Sequence, residues 1–237
     1  MSYTPFEEDN RPGINVQQEI YRIPLDKYKD TYSEHLGQIN EETQLGNFLT
    51  RLASDDREPR IWFEIGAWNG LGTTTCVLDG FGNREDQDVI LYSLEADPVF
   101  YEIAKSNLKN HPNKKNLVLF YGKSGEGLFL LPHEIPEEDK KNRHFELYYD
   151  YERTFWERAP CFPYPQLPEV AILDGGEYSG YLDWINLPKD NLKYVILDDI
   201  NCLKNKRVFE ELSEDTEWTL FKVNKQERNG FAIFRKN

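Results

Sequence analysis

The chain has 237 residues and a formal net charge of −14, a length that fits one α/β domain with additions rather than two full domains. The excess of acidic residues argues against nucleic acid or an anionic membrane as a partner, because either would repel the chain. The three cysteines, Cys76, Cys161 and Cys202, lack C-x-x-C spacing, which indicates neither a disulfide framework nor a zinc site. The N-terminus is acidic and polar, and no stretch reaches the length of a membrane span. We therefore expect a soluble cytoplasmic protein with a small-molecule partner, and a homo-oligomer is compatible with the sequence.

Residues 1–58 are predicted to form an N-terminal arm and a helix. Prolines and a glycine lie among charged residues in 1–24, a composition typical of an irregular arm. Apolar side chains then recur at helical spacing at Leu45, Phe48, Leu49 and Leu52, which predicts a helix before the first strand.

The rest of the chain, 59–237, is predicted to be a single α/β domain. Apolar β-type runs predict strands at 61–66, 89–94, 117–121, 170–173, 194–197, 218–223 and 230–234. Helices are predicted at 73–78, from Pro98 with Asp97 as N-cap, and at 208–212. This alternation predicts a mostly parallel seven-stranded sheet with helices on both faces and one antiparallel strand near the C-terminus.

Glycines follow the first strand in the sequence EIGAWNGLGT at 64–73. Gly66, Gly70 and Gly72 allow a sharp turn and let a ligand approach the backbone amides, although they also fit an ordinary βα turn. The next strand ends at Glu95, where one carboxylate could accept both hydroxyl protons of a ribose. Glu64 is acidic within an apolar strand, and a buried carboxylate is costly unless it is paired or meets a cationic ligand. The pattern predicts a site for a cationic nucleoside.

Carboxylates follow the fourth and fifth strands. Asp174, Asp198 and Asp199 should lie close together, because adjacent parallel strands end at the same edge of a sheet. Oxygen ligands of this kind suit a hard divalent cation, which would lower the pKa of a substrate hydroxyl. The alternative is that these aspartates cap the helices that follow.

Residues 128–168 form an aromatic-rich insertion that is long for a connection between consecutive strands. We expect the segment to border the active site. For its individual aromatic side chains, we favour packing over direct contact with substrate. The aromatic residues concerned are Tyr148, Tyr149, Tyr151, Phe155, Trp156, Phe162 and Tyr164.

The glycine turn together with Glu95 resembles the cofactor signature of class I S-adenosylmethionine (SAM)-dependent methyltransferases, which have a Rossmann-like fold. The sequence DGGE at 174–177 and the later Asp-Asp pair resemble the cation-dependent O-methyltransferases, both the sugar or macrocin type and the catechol type. The resemblance implies SAM and Mg²⁺, or another divalent cation, as cofactors. The implied SAM-binding residues are Glu64, Gly66, Ala67, Trp68, Gly70, Thr73, Glu95, Ala96, Ser124 (at the adenine) and Asp174. The implied metal ligands are Asp174, Asp198 and Asp199.

This chain differs from the family at the position of the general base. Relatives have Lys, His or Asp just after the first metal-binding Asp, whereas this chain has Gly176 and then Glu177. Glu177 could accept the proton if burial raised its pKa, but a neighbouring cation should lower that pKa instead. Asp174 and Glu177 are thus the predicted catalytic residues, and a role for Glu177 as a metal-side or surface carboxylate stays open.

The sequence therefore predicts a SAM-dependent O-methyltransferase, cation-dependent, that methylates a hydroxyl of a sugar or glycan-linked acceptor. A phenol or catechol acceptor is the first alternative, and a metal-free methyltransferase acting on nitrogen or a carboxylate is the second. A non-catalytic assembly partner with a cofactor-binding fold is the alternative outside the enzymes.

Overall fold

A computed structural model of the chain describes residues 39–57, 59–127, 129–141 and 145–237. The arm predicted for residues 1–24 lies outside these ranges. None of the helices in the described residues is long and apolar enough to cross a lipid bilayer.

The described strands form one seven-stranded sheet. They are β1 (Ile61–Ile65), β2 (Ile90–Glu95), β3 (Leu117–Tyr121), β4 (Val170–Leu173), β5 (Tyr194–Asp198), β6 (Trp218–Asn224) and β7 (Phe231–Lys236). Their order across the sheet is β3-β2-β1-β4-β5-β7-β6. The first five strands are parallel, and β7 runs antiparallel to both β5 and β6. The predicted fold class, a Rossmann-like sheet with one antiparallel strand near the C-terminus, is confirmed.

In the described residues, one helix precedes β1 and the others lie between consecutive strands. The helices are α1 (Gln44–Ala53), α2 (Thr73–Gly82), α3 (Pro98–Leu108), α4 (Phe145–Arg158), α5 (Gly180–Asn186) and α6 (Leu203–Glu214). Asp97 is the N-cap of α3 as predicted, and its Oδ1 accepts the N–H of Val99 at 2.7 Å. The helix α5 is not predicted from the sequence, because seven residues beginning with glycine and containing two aromatic side chains give too short a helical pattern.

The central strand β1 is packed on both faces of the sheet. On one face Trp62 meets Phe81 of α2 edge-on, at 5.9 Å between ring centroids, within a cluster that includes Leu49 of α1. On the other face Ile65 packs in a cluster with Val208 of α6. Helices thus cover both faces, and the carboxyl ends of the strands are the edge where a ligand can reach the sheet.

Candidate functional site

A cavity of about 960 Å³ opens at the carboxyl ends of the parallel strands, a volume in the upper range of small-molecule sites. Predicted site residues that line it are Gly66, Ala67, Trp68, Thr73, Glu95, Ala96, Asp174, Glu177 and Asp199. Four other predicted residues, Glu64, Gly70, Ser124 and Asp198, are not part of its lining.

The turn after β1 holds three strands together. Gly66 has φ +96°, and a Cβ there would lie 2.1 Å from the carbonyl oxygen of Asp174 at the end of β4. The N–H groups of Gly66 and Ala67 both donate to the carbonyl oxygen of Leu94 in β2, at 2.9 and 3.0 Å. Only glycine combines this backbone conformation with so close an approach.

Glu95 at the end of β2 is buried but borders the cavity. Its two carboxylate oxygens accept the N–H groups of Trp68 at 2.7 Å and of Asp97 at 2.8 Å. Burial, followed by the nearby charge of Asp97, raises the pKa of Glu95 to about 8. Each oxygen can accept a second hydrogen bond, so the carboxylate is suited to a ligand with two neighbouring hydroxyls.

Glu64 in the middle of β1 is fully buried and satisfied by protein hydroxyls. Its carboxylate accepts hydrogen bonds from Thr73, from Thr74 at 2.6 Å and from Ser93. Burial raises the pKa of Glu64 despite these bonds. The three hydroxyls supply the pairing that the sequence analysis assigned to a cationic ligand, and direct contact with a cofactor stays a prediction.

Ser124 after β3 faces an acidic residue that the sequence analysis did not select. Its hydroxyl donates to Asp183 Oδ1 at 2.6 Å, and Asp183 lines the cavity. Burial raises the pKa of Asp183 to about 7. Asp183 is not predicted from the sequence because it lies on α5, and contact of Ser124 with adenine stays a prediction.

The three aspartates at the ends of β4 and β5 do come together. Each offers a carboxylate oxygen, and these oxygens lie within 4.8 Å of one another. Two cationic side chains share this cluster with Asp174, Asp198 and Asp199. Lys204 Nζ lies 2.6 Å from Asp174 Oδ1 and 2.8 Å from Asp199 Oδ2. Arg228 Nη1 lies 2.9 Å from Asp198 Oδ2.

As arranged, the cluster does not fit a resident magnesium ion. Burial alone would lower the pKa of Lys204, but the carboxylates of Asp174 and Asp199 raise it above the ordinary lysine value, so the side chain is an ammonium. A divalent ion bound by these oxygens would have to displace that ammonium. Dependence on a divalent cation therefore stays a prediction from the sequence.

Glu177 both lines the cavity and supports a helix. Its Oε1 accepts the N–H of Leu203, the first residue of α6, at 2.7 Å. Burial raises the pKa of Glu177, and the opposing effect of Lys204 does not cancel it. The geometry is compatible with a base and equally with a helix cap.

The insertion forms a wall of the cavity through α4. Tyr148, Tyr151, Phe155 and Trp156 line the cavity, whereas Tyr149 and Phe162 are buried in aromatic clusters. Among the four side chains that line the cavity, Trp156 is almost fully buried.

Two polar contacts attach α4 to the loops beneath it. Glu152 Oε1 accepts the N–H groups of Tyr178 and Ser179, each at 2.9 Å, and a Cβ at Gly176 would lie 2.1 Å from this oxygen. The Tyr151 hydroxyl donates to Asp97 Oδ2. Neither contact has a local signature in the sequence, because each joins segments far apart in the chain.

Solved structures with the same fold include several methyltransferases. An O-methyltransferase from Bacillus cereus in complex with SAH has a TM-score of 0.53 at 14% identity, over 96% of this chain and 93% of that one. The O-methyltransferase TomG from Streptomyces achromogenes, involved in tomaymycin synthesis and solved with SAM, has a TM-score of 0.53 at 14% identity, over 96% and 91%. The SAH-bound methyltransferase PaMTH1 from Podospora anserina has a TM-score of 0.52 at 13% identity, over 98% and 100%. No protein-family model and no curated protein sequence matches the chain. The described residues therefore have the class I methyltransferase fold.

The first prediction concerns cofactor binding at Glu95. Glu95→Ala should weaken SAM binding by roughly 100-fold in calorimetry, because hydrogen bonds from two hydroxyls to one carboxylate are lost. Glu102→Ala is the matched control, since Glu102 is an exposed residue of α3 paired with Lys105. Equal SAM affinity in wild type and Glu95→Ala would rule out the ribose role.

The second prediction concerns stability against pH at Asp183. Because its folded pKa of about 7 exceeds the ordinary 3.8, its contribution to stability is fully present at low pH and is lost as the pH rises through about 7. Asp183→Asn does not titrate and keeps an oxygen for the Ser124 hydroxyl. Between about pH 5 and pH 8, the unfolding free energy of wild type should therefore fall by a few kcal/mol relative to that of Asp183→Asn. Urea unfolding measures this difference, with the surface variant Glu214→Gln as a control for lost charge; parallel curves for wild type and Asp183→Asn would contradict it.

Proposed function

We propose that the chain is a SAM-dependent O-methyltransferase that acts on a hydroxyl of a small acceptor. The observation that carries this proposal is one cavity with two chemically different ends. At one end the glycine turn and Glu95 offer backbone amides and a diol-binding carboxylate. At the other end Asp174, Glu177 and Lys204 surround the space that an acceptor would take. The class I fold and the neighbours solved with SAM or SAH support the same cofactor.

Methyl transfer in this cavity is an in-line displacement. The acceptor oxygen attacks the methyl carbon, a C–O bond forms, the C–S bond breaks, and its electron pair leaves with the sulfur as a neutral thioether. The acceptor hydroxyl loses its proton to a carboxylate, for which Glu177 is the proposed base. Fixed positions for both reactants lower the barrier, so the protein needs no nucleophile of its own.

The proposed acceptor is a sugar or a glycan-linked hydroxyl. Aromatic side chains of α4 offer flat faces to a ring, and Tyr148 and Tyr151 add hydroxyls at its edge. A phenol or catechol would stack on the same faces and is the alternative.

The aspartate cluster offers one observation for dependence on a divalent cation and one against it. The proximity of Asp174, Asp198 and Asp199 favours it, and their ion pairs with Lys204 and Arg228 oppose it. Transfer to nitrogen or a carboxylate without metal is the competing reaction, because it needs no activated hydroxyl.

The third prediction is the outcome of an acceptor screen. Purified protein with methyl-labelled SAM should transfer label to members of a sugar panel, and to phenols or amines more slowly, each tested with and without Mg²⁺. Calorimetry with SAM accompanies the screen. Failure to bind SAM would contradict the proposed enzyme and favour the non-catalytic assembly partner. Label appearing only on amines would contradict O-methylation and indicate an N-methyltransferase.

The fourth prediction separates the two roles of Glu177. Glu177→Gln keeps an oxygen for the N–H of Leu203 but cannot take a proton, so kcat should fall at least about 100-fold with little change in thermal stability. Glu211→Gln is the matched control, because Glu211 bonds Tyr181 on the exposed side of α6. Unchanged kcat in Glu177→Gln would leave Glu177 with the helix-capping role alone.

A further inference from the structure

The ammonium group of Lys204 lies among the aspartates whose oxygens could hold a metal ion. Its Nζ lies between Asp174 Oδ1, at 2.6 Å, and Asp199 Oδ2, at 2.8 Å. These two aspartates belong to the group whose oxygens could hold a metal. Lys204 is 8% exposed and lines the cavity, so its charge is both fixed by the protein and adjacent to the space for an acceptor.

The backbone around Lys204 fixes this position. Lys204 is the second residue of α6, and a Cβ at Gly180 would lie 2.5 Å from its carbonyl oxygen, so α5 packs directly against it. The next residue, Asn205, donates from Nδ2 to the carbonyl oxygens of Leu173 at 2.8 Å and Asp198 at 2.6 Å. The start of α6 is thus bonded to the ends of both strands that carry the aspartates.

A second cation covers the remaining carboxylate. Arg228 lies in the turn between β6 and β7, and its Nη1 is 2.9 Å from Asp198 Oδ2. The antiparallel pairing of Asp198 with Phe231 brings that turn to the end of β5. All three carboxylates therefore have a cationic partner from the protein.

We propose that Lys204 is a built-in cation that replaces a divalent metal, so that the protein binds no metal at this cluster and works without one. This inference rests on the proposed methyl transfer to a hydroxyl. An ammonium has three N–H groups, and its contacts with Asp174 and Asp199 use two of them. The third donates to the acceptor oxygen and stabilises the negative charge that develops there as the proton leaves to Glu177 and the C–O bond forms.

The fifth prediction uses a metal-binding measurement to test whether Lys204 takes the place of a metal ion. Wild-type protein should bind no Mn²⁺ at the cluster, measured by electron paramagnetic resonance of free Mn²⁺. Lys204→Met should bind one Mn²⁺ per chain, because it leaves the carboxylates of Asp174 and Asp199 without the ammonium between them, and adding Asp198→Asn should weaken that binding at least tenfold. Lys193→Met is the matched control, since it removes a lysine paired with Glu169 at 2.8 Å at the opposite end of the same strands.

Activity with the acceptor found by screening adds an independent measurement. A chelator should leave wild-type turnover unchanged. Lys204→Met should lose turnover in chelator and regain at least tenfold on addition of Mg²⁺ or Mn²⁺, an effect that a purely structural lysine would not produce.

Two results would overturn the inference. One is stoichiometric Mn²⁺ binding to the wild-type protein that Asp198→Asn abolishes. If Lys204→Met does not fold, this measurement on the wild type and Asp198→Asn is sufficient to test the inference. The other is a folded, SAM-binding Lys204→Met that neither binds Mn²⁺ nor responds to it. Failure of the proposed function is distinguishable, because SAM would then not bind in calorimetry while the Mn²⁺ comparison would still report on the cluster.

Discussion

Three carboxylates packed side by side are the constraint on which this end of the molecule depends. Asp174, Asp198 and Asp199 lie at the carboxyl ends of neighbouring strands, and like charges at this separation in a protein interior repel strongly. The chain balances them with Lys204 from α6 and Arg228 from the turn before β7. The close packing of α6 on β4 and β5, and the antiparallel position of β7, are therefore electrostatic requirements of the site as well as features of the fold.

The acidic half of this cluster was predictable from the sequence and the basic half was not. Each aspartate directly follows an apolar run, so the pattern of strands alone places them at one edge of the sheet. Lys204 and Arg228 carry no such local signal, since a lysine in a polar helix start and an arginine in a polar turn are typical of surfaces. Only the pairing of Asp198 with Phe231, a contact between distant residues, shows where Arg228 must lie. The sequence therefore predicted a metal, because it showed the carboxylates without their partners.

Glu64 and Glu95 also show that a strand pattern does not predict which groups surround a side chain. Both were predicted as cofactor residues from their place in or after an apolar strand, and burial raises the pKa of each. Three side-chain hydroxyls satisfy Glu64, whereas Glu95 accepts two backbone N–H groups and borders the cavity. The difference arises from neighbours on α2 and β2, which a strand pattern does not specify.

The attachment of α4 connects the two ends of the cavity. Tyr151 bonds Asp97, two residues beyond Glu95, and the adjacent Glu152 bonds the loop that carries Glu177. Consecutive residues of one helix thus contact the proposed cofactor end and the proposed acceptor end. The same helix supplies the aromatic wall of the cavity. Fixed charges act more strongly where water is excluded, so the proposed action of the Lys204 ammonium on the acceptor oxygen depends on how completely α4 covers the space between Glu95 and Lys204.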